Sequence, residues 1–418
     1  MSTRAELAGS FPAAARKTFC RGTHRLIAPQ QTLERVRGLL PVMGITRIAN
    51  VTGLDKVGIP VVMVCRPNSR SIAVSQGKGI DLDAAKASGV MESLEGYHAE
   101  RITLPLKLGT YEDLRYTHRI TEVTGMVRRA DSLFHPNLQI LWIEGHDLIS
   151  DRGIWLPYEM VHLNYTLPLP PGTGCFAASS NGLASGNHVL EAISHAVCEV
   201  VERDATVLWY RRDAQTRRGS RVDLGTVDDP GCCEMLNKFE QAGVEVGIWN
   251  ITSDVAIPVF LSVIAERAPN PLRPLPTVVG YGCHPARHIA LARALAEAAQ
   301  SRLTFIAGSR DDIHRGEYEY VFSRDVQDRE RQLFQVDAPM MDFQKVPTFD
   351  GATFEEDLAW ELKQLRNAGI DQVIVIDLTK HELQIPVVRV VIPGLEPKLP
   401  RATYLPGPRA RAVMEKHS

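Results

Sequence analysis

Apolar positions along this chain fall into short strand-length runs separated by longer stretches with helical periodicity. Thr46-Arg47-Ile48-Ala49-Asn50-Val51 and Ile59-Pro60-Val61-Val62-Met63-Val64 predict two strands, with Pro60 suited to a strand start or edge. A glycine-bearing turn is expected at Gln76-Gly77-Lys78-Gly79, followed by a helix over about 83–100 with Asp81 or Asp83 as its cap. Residues 101–170 read as mixed strands and loops, with a strand at 138–145. A loop at 179–187 introduces a second long helix over about 189–211. A helix near 231–242, strands near 245–251 and 257–264, and a third long helix near 286–306 follow. The last hundred residues add a helix at about 354–368 and strands at 372–376 and 387–392. Strands and helices mix without strict βαβ alternation, which points to an α+β fold.

Three of these helices share one design. In the first, Ser88, Glu92 and Glu95 stand at i, i+4 and i+7, so a hydroxyl and two carboxylates project together. In the second, Glu191, His195, Glu199 and Glu202 line an arc of roughly 80°, and Arg203-Asp204 follow directly. The third carries Arg293, Glu297 and Gln300 on one face, with Arg302 two residues further on. Carboxylates stacked at i, i+4 repel one another unless a cation cancels them, and the second helix has no lysine. Hard oxygen donors gathered this way suit Mg²⁺, which takes a few carboxylates together with substrate phosphates. On any one helix the same residues could simply be solvated charges; three helices with the same pattern weigh against that.

Composition narrows the remaining classes. The 418 residues are 44% hydrophobic and 23% charged, the balance of a globular protein, and a net charge of −2 leaves no basic footprint for a nucleic-acid partner. No apolar run reaches the roughly 18 to 20 residues of a membrane helix, and the first residues lack a secretory signal pattern, so a cytoplasmic location is expected. The seven cysteines show no CxxC spacing, and Cys232-Cys233 fall in a loop-like stretch. Neither a disulfide framework nor a zinc site is indicated. There is no GxxxxGK[ST], HExxH or GxSxG. His284 and His288 sit four apart and read as structural for want of a third ligand nearby. Lys78 between two glycines is placed to reach a phosphate from a loop, or is a plain turn lysine. Cys198 and Cys283 read as packing thiols.

Taken in order, these segments resemble the YcaO family. The resemblance rests on Ser88-Gly-Val-Met-Glu92-Ser-Leu-Glu95-Gly-Tyr97, Ser180-Asn181-Gly-Leu-Ala-Ser-Gly186, Glu191 through Asp204, and Glu297-Ala-Ala-Gln300-Ser-Arg302. Gly44-Ile45-Thr46-Arg47 and the stretch Ile385 to Gly394 add to it, and the similarity spans about residues 40–400. It implies a YcaO-type α+β fold of mixed and antiparallel sheets packed by helices, binding ATP and Mg²⁺ between acidic helices without a P-loop. It divides the chain into an N-terminal extension (1–36), a catalytic domain (37–400) and a Pro/Arg-containing tail (401–418).

By motif, Glu92, Glu95, Glu199 and Glu202 are implied magnesium or phosphate ligands. Ser88, Asn181, Glu191, Arg203, Glu297, Gln300 and Arg302 are implied to contact nucleotide or order that shell, and Lys78 joins them as a cofactor-binding candidate from its place between two glycines. No catalytic nucleophile is implied. In such enzymes a nucleophile adds to a peptide amide, ATP phosphorylates the oxygen, and loss of phosphate leaves a thioamide, azoline or amidine. Azoline-forming members often end in PxPxP, whereas this chain ends Leu405-Pro406-Gly407-Pro408 and then Arg409 to Ser418. The stretch from Ser301 to Asp312 looks like the branch that works with a TfuA partner. The expectation is thioamidation of a peptide or protein substrate with a TfuA-like protein and a sulfur donor. Azoline cyclodehydration of a ribosomally made peptide and a non-catalytic ATP-binding maturation factor are the alternatives. The resemblance allows a homodimer.

Overall fold

Each of the three acidic helices lies on a sheet of its own. In the computed structural model, which describes residues 15–123, 126, 128–268, 272, 274–335, 339–398 and 404–416, the first sheet is antiparallel in chain order: Arg47–Asn50, Val61–Cys65 and Val74–Lys78. Expectations for residues 1–14, 399–403 and 417–418 lie outside the described residues. The first acidic helix, Leu82–Ala99, covers this sheet, and the Asp81 carboxylate caps it by accepting from the Ala84 N–H. The stretch expected to turn at Gln76 to Gly79 instead continues the third strand through Lys78. The reason is close packing. A Cβ on Gly77 would stand 2.0 Å from the Ala85 carbonyl oxygen, so the glycine lets strand and helix backbones meet.

The largest sheet has six strands, ordered Leu106–Gly109, Ile140–Asp147, Ile374–Asp377, Val387–Val391, Leu183–Ser185, with Arg152–Pro157 also paired to Ile140–Asp147. Its ladders are antiparallel. Leu183–Ser185 is a short strand inside the stretch expected to be wholly loop. The second acidic helix, Val189–Arg211, packs on the Val387–Val391 and Leu183–Ser185 side of the sheet and is buried along most of its length. It forms the spine of the molecule, with Phe354–Asn367 and Pro408–Lys416 packed against it.

The third sheet, Val244–Asn250, Val259–Glu266 and Val278–Cys283, is again antiparallel. The third acidic helix, Arg287–Ala307, lies on its Val278–Cys283 edge. Cys232 and Cys233, read as loop residues, occupy the first turn of the helix Pro230–Gln241, where Cys232 is buried. All seven cysteines are free thiols. Among the described residues no helix is long and apolar enough to cross a membrane.

Candidate functional site

Helix contacts with neighbouring sheets bring the acidic faces together. The first helix touches the strand Leu183–Ser185, where Glu95 accepts from both the Ser185 N–H and its hydroxyl at 2.8 Å. The third helix touches the strand Val74–Lys78, where the Lys78 ammonium stands 2.6 Å from Glu297. Arg203 on the second helix reaches Glu202 at 3.2 Å and Glu199 at 3.6 Å. The acidic arcs therefore face inward onto one another. They are not surface decoration.

Their electrostatics show how closely they meet. Burial pushes the Glu95 carboxyl up to about 8, and Glu92 and Glu199 add to the rise. Glu92 reaches solvent, yet the protein walls around it raise it to about 7, with Glu199 contributing and Lys78 and Arg310 opposing. Glu202, 8% exposed, is raised to about 7 by burial, Glu297 and Glu199 against the pull of Arg203. Glu199 is raised in the same way, by burial and by Glu297. Glu297 is the exception: burial would raise it, but Lys78 and Arg203 together hold it below the usual carboxylate range. Arg203, despite burial, has its pKa driven up by Glu202, Glu199 and Glu297.

The N-terminal segment completes one wall. Glu191, 2% exposed, accepts from the Leu26 N–H at 3.0 Å and faces the Arg25 guanidinium at 3.6 Å. Burial lowers the Arg25 pKa, with Glu191 opposing and Arg293 reinforcing. His195 lies in the same region and is kept neutral by burial and by Arg293, Arg25 and Lys78. Other cations come from outside the helical pattern. After the left-handed C-cap Gly308, Arg310 turns back beside Glu92. Lys398 lies over the Tyr281 ring at 4.2 Å, and dehydration and Arg203 bring its ammonium down to about 8. Arg389, on the strand Val387–Val391, approaches Glu199. Sequence periodicity had no means of finding Arg25, Arg310, Arg389 or Lys398, because loops and strands place them.

Not every expected residue arrives. Arg302 is 1% exposed and is engaged by Asp55 at 2.8 Å and by Glu266, away from the cluster. These ion pairs tie the third helix to Asp55 and to the 259–266 strand. Ser88 and Gln300 are half-buried on their helices, with no side-chain hydrogen bond to the cluster among the described residues. Asn181 lies beside Arg389 in an adjoining cavity. Lys78 reaches the site from the end of a strand, not from a loop.

The donor set fits a magnesium nucleotide. Burial and mutual repulsion raise carboxylates on separate helices toward neutrality, and Lys78, Arg203, Arg310 and Arg25 flank them as phosphate partners would. A second cluster does not fit a metal. Ligand atoms of His24, His284 and Asp357 lie within 4.8 Å of one another. The Lys17 ammonium already stands 2.6 Å from Asp357, and His284 Nδ1 accepts from the Ala286 N–H at 2.9 Å, which leaves its other nitrogen protonated.

Comparison with known proteins bears on the same residues. Residues 76–396 match the family model described as YcaO cyclodehydratase, ATP- and Mg²⁺-binding. An uncharacterized protein in the tfuA 3′ region of Rhizobium leguminosarum bv. trifolii is 36% identical over 377 residues, covering 89% of this chain and 88% of that protein. An uncharacterized protein of Methanothermobacter thermautotrophicus is 34% identical, covering 88% of this chain and 94% of that one. Among solved structures, YcaO from Methanopyrus kandleri bound with AMPPCP and Mg²⁺ superposes with a TM-score of 0.73 at 21% identity, covering 93% of this chain and 99% of that one. A heterocyclase in complex with substrate and cofactor gives 0.77 at 23% identity over 92% of this chain, which spans 54% of that longer protein. These two likenesses establish the fold.

Proposed function

The chain belongs to the YcaO family, and from that premise we propose that it is an ATP- and Mg²⁺-dependent enzyme that forms thioamides on a peptide or protein backbone with a TfuA-like partner. The observation that carries the reading is the meeting of three carboxylate-bearing helix faces in one cluster ringed by cations. Bound ATP and Mg²⁺ would supply the phosphoryl group that turns an amide oxygen into a leaving group.

The chain's own residues would do the positioning. Glu92, Glu95, Glu199 and Glu202 hold the metal, and Glu297 orders Lys78 and Arg203. Lys78, Arg203, Arg310 and Arg25 neutralise phosphate charge, while Glu191 fixes Arg25 and Ser88 and Gln300 lie on the adjoining helix faces. No side chain need act as nucleophile, since the work is placement and charge neutralisation. Sulfide equivalents would come from the partner; sulfur takes the place of the amide oxygen, which departs with phosphate.

One observation favours thioamide over azoline: the 36%-identical Rhizobium relative is named for the tfuA region.

Two measurements test the reading. Calorimetric titration with ATP should show binding that requires Mg²⁺, and Glu199→Gln or Glu202→Gln should abolish it while circular dichroism stays unchanged. Unaltered affinity in those variants would sink the site assignment. Mass spectrometry of a substrate treated with enzyme, partner and sulfide then separates the products. Exchange of oxygen for sulfur supports thioamidation, whereas loss of water means azoline formation.

A further inference from the structure

Beside the acidic cluster lies a cavity open to solvent and walled largely by apolar side chains, among them Met160, Val200, Ile392, Leu395 and Pro397. Three residues with polar side chains interrupt this lining, Ser179, Asn181 and Arg389, and the last two carry unpartnered atoms. Arg389 is 3% exposed, and one arm of its guanidinium is fixed by an Nη2–H donated to the Ser179 carbonyl at 2.7 Å. Its Nε and Nη1 are buried with no partner. Asn181 contributes a buried Oδ1, also without a partner. Buried donors and acceptors are almost always satisfied, so three open positions in one cavity mark a place for a ligand.

The chemistry of these positions is selective. A phosphate would satisfy the arginine donors but would set its oxygens against the Asn181 acceptor. A hydrocarbon would satisfy neither. A secondary amide satisfies both, since its carbonyl oxygen accepts from Arg389 and its N–H donates to Asn181. The apolar walls suit an attached aliphatic side chain. Arg389 also neighbours Glu199, which places the carbonyl end of such an amide at the border of the nucleotide cluster.

We propose that this cavity is the substrate's amide subsite: Arg389 binds the carbonyl oxygen to be activated, Asn181 binds the amide N–H, and the apolar walls favour an aliphatic residue. The assignment rests on the peptide-amide reading above and moves Asn181 from the nucleotide shell to the substrate. Arg389 then meets any charge that develops on the oxygen with a fixed cation in a dehydrated place.

The test uses the full chain with N-methylisocaproamide, which carries one secondary amide on a leucine-like tail, and with methyl isocaproate, its ester counterpart. Ligand-observed NMR should show saturable amide binding, weakened about tenfold or more in Arg389→Met. The ester should bind more weakly than the amide, and Asn181→Ala should erase that preference. If Arg389→Met fails to fold in a thermal melt, the amide-to-ester ratio in Asn181→Ala decides alone. Amide binding unchanged in both variants, or displacement of the amide by inorganic phosphate, would overturn the assignment. Magnesium-dependent ATP binding without amide binding would overturn the subsite and leave the proposed function standing. Amide binding without ATP binding would do the reverse.

Discussion

Glu95 receives two hydrogen bonds at 2.8 Å and still keeps its proton to about pH 8, because burial and two neighbouring carboxylates outweigh those donors. The sign of the consequence is fixed. Glu92, Glu95 and Glu202 have folded pKa values above their unfolded ones, so the folded chain retains protons that the unfolded chain releases. Stability without ligand should therefore fall as pH rises from the ordinary carboxylate range to about 8. Thermal melts should show that decline between about pH 5 and pH 8, and saturating Mg²⁺ with ATP should flatten it. Titration in buffers of different ionisation enthalpy should show protons released on binding. At this scale the carboxylates were legible in the sequence because helical periodicity groups them. Arg302 follows Glu297 by five residues, which turns it about 140° off that face and toward Asp55 and Glu266. Arg25, Arg310, Arg389 and Lys398 were not legible, since nothing local marks a residue that a remote loop or strand delivers.

Helix packing distances depend on glycines that periodicity cannot weigh. A Cβ on Gly282 would fall 2.1 Å from the Ala290 carbonyl oxygen, and one on Gly280 would fall 2.2 Å from the Ala298 nitrogen. These strand glycines let the third helix sit directly on the sheet and carry Glu297 to Lys78. Gly282→Ala should cost about 3 kcal/mol in urea unfolding and weaken ATP binding as the helix is pushed outward. The long helices were readable to within a residue or two from their apolar spacing. The Gln76 to Gly79 stretch was misread because glycine marks both turns and close backbone contacts, and only the packing distinguishes them. The second helix also departs from a surface amphipath. It is buried on nearly every side, so its glutamates face other protein elements.

Across the whole molecule, both ends of the described chain fasten onto that helix. Asp204, fully buried, is held by Arg409 at 3.0 Å, and Glu396 accepts from the Tyr404 hydroxyl and from the Gly407 and Ala410 N–H groups. Arg409→Ala would strand the Asp204 charge and should lower stability by about 3 kcal/mol, with Asp204→Asn restoring part of the loss. Urea midpoints of the two single variants and the double variant measure this. Contacts of this kind join residues far apart along the chain: Leu26 to Glu191 spans 165 positions, Lys78 to Glu297 spans 219, and Asp204 to Arg409 spans 205. Loops of that length close late, because their entropy must be met before the contact rewards it. The chain should recover secondary structure well before nucleotide affinity during refolding. A ribosome, too, must have released the strand bearing Arg389 before the cavity beside the acidic cluster has its walls, so that cavity forms only late in synthesis.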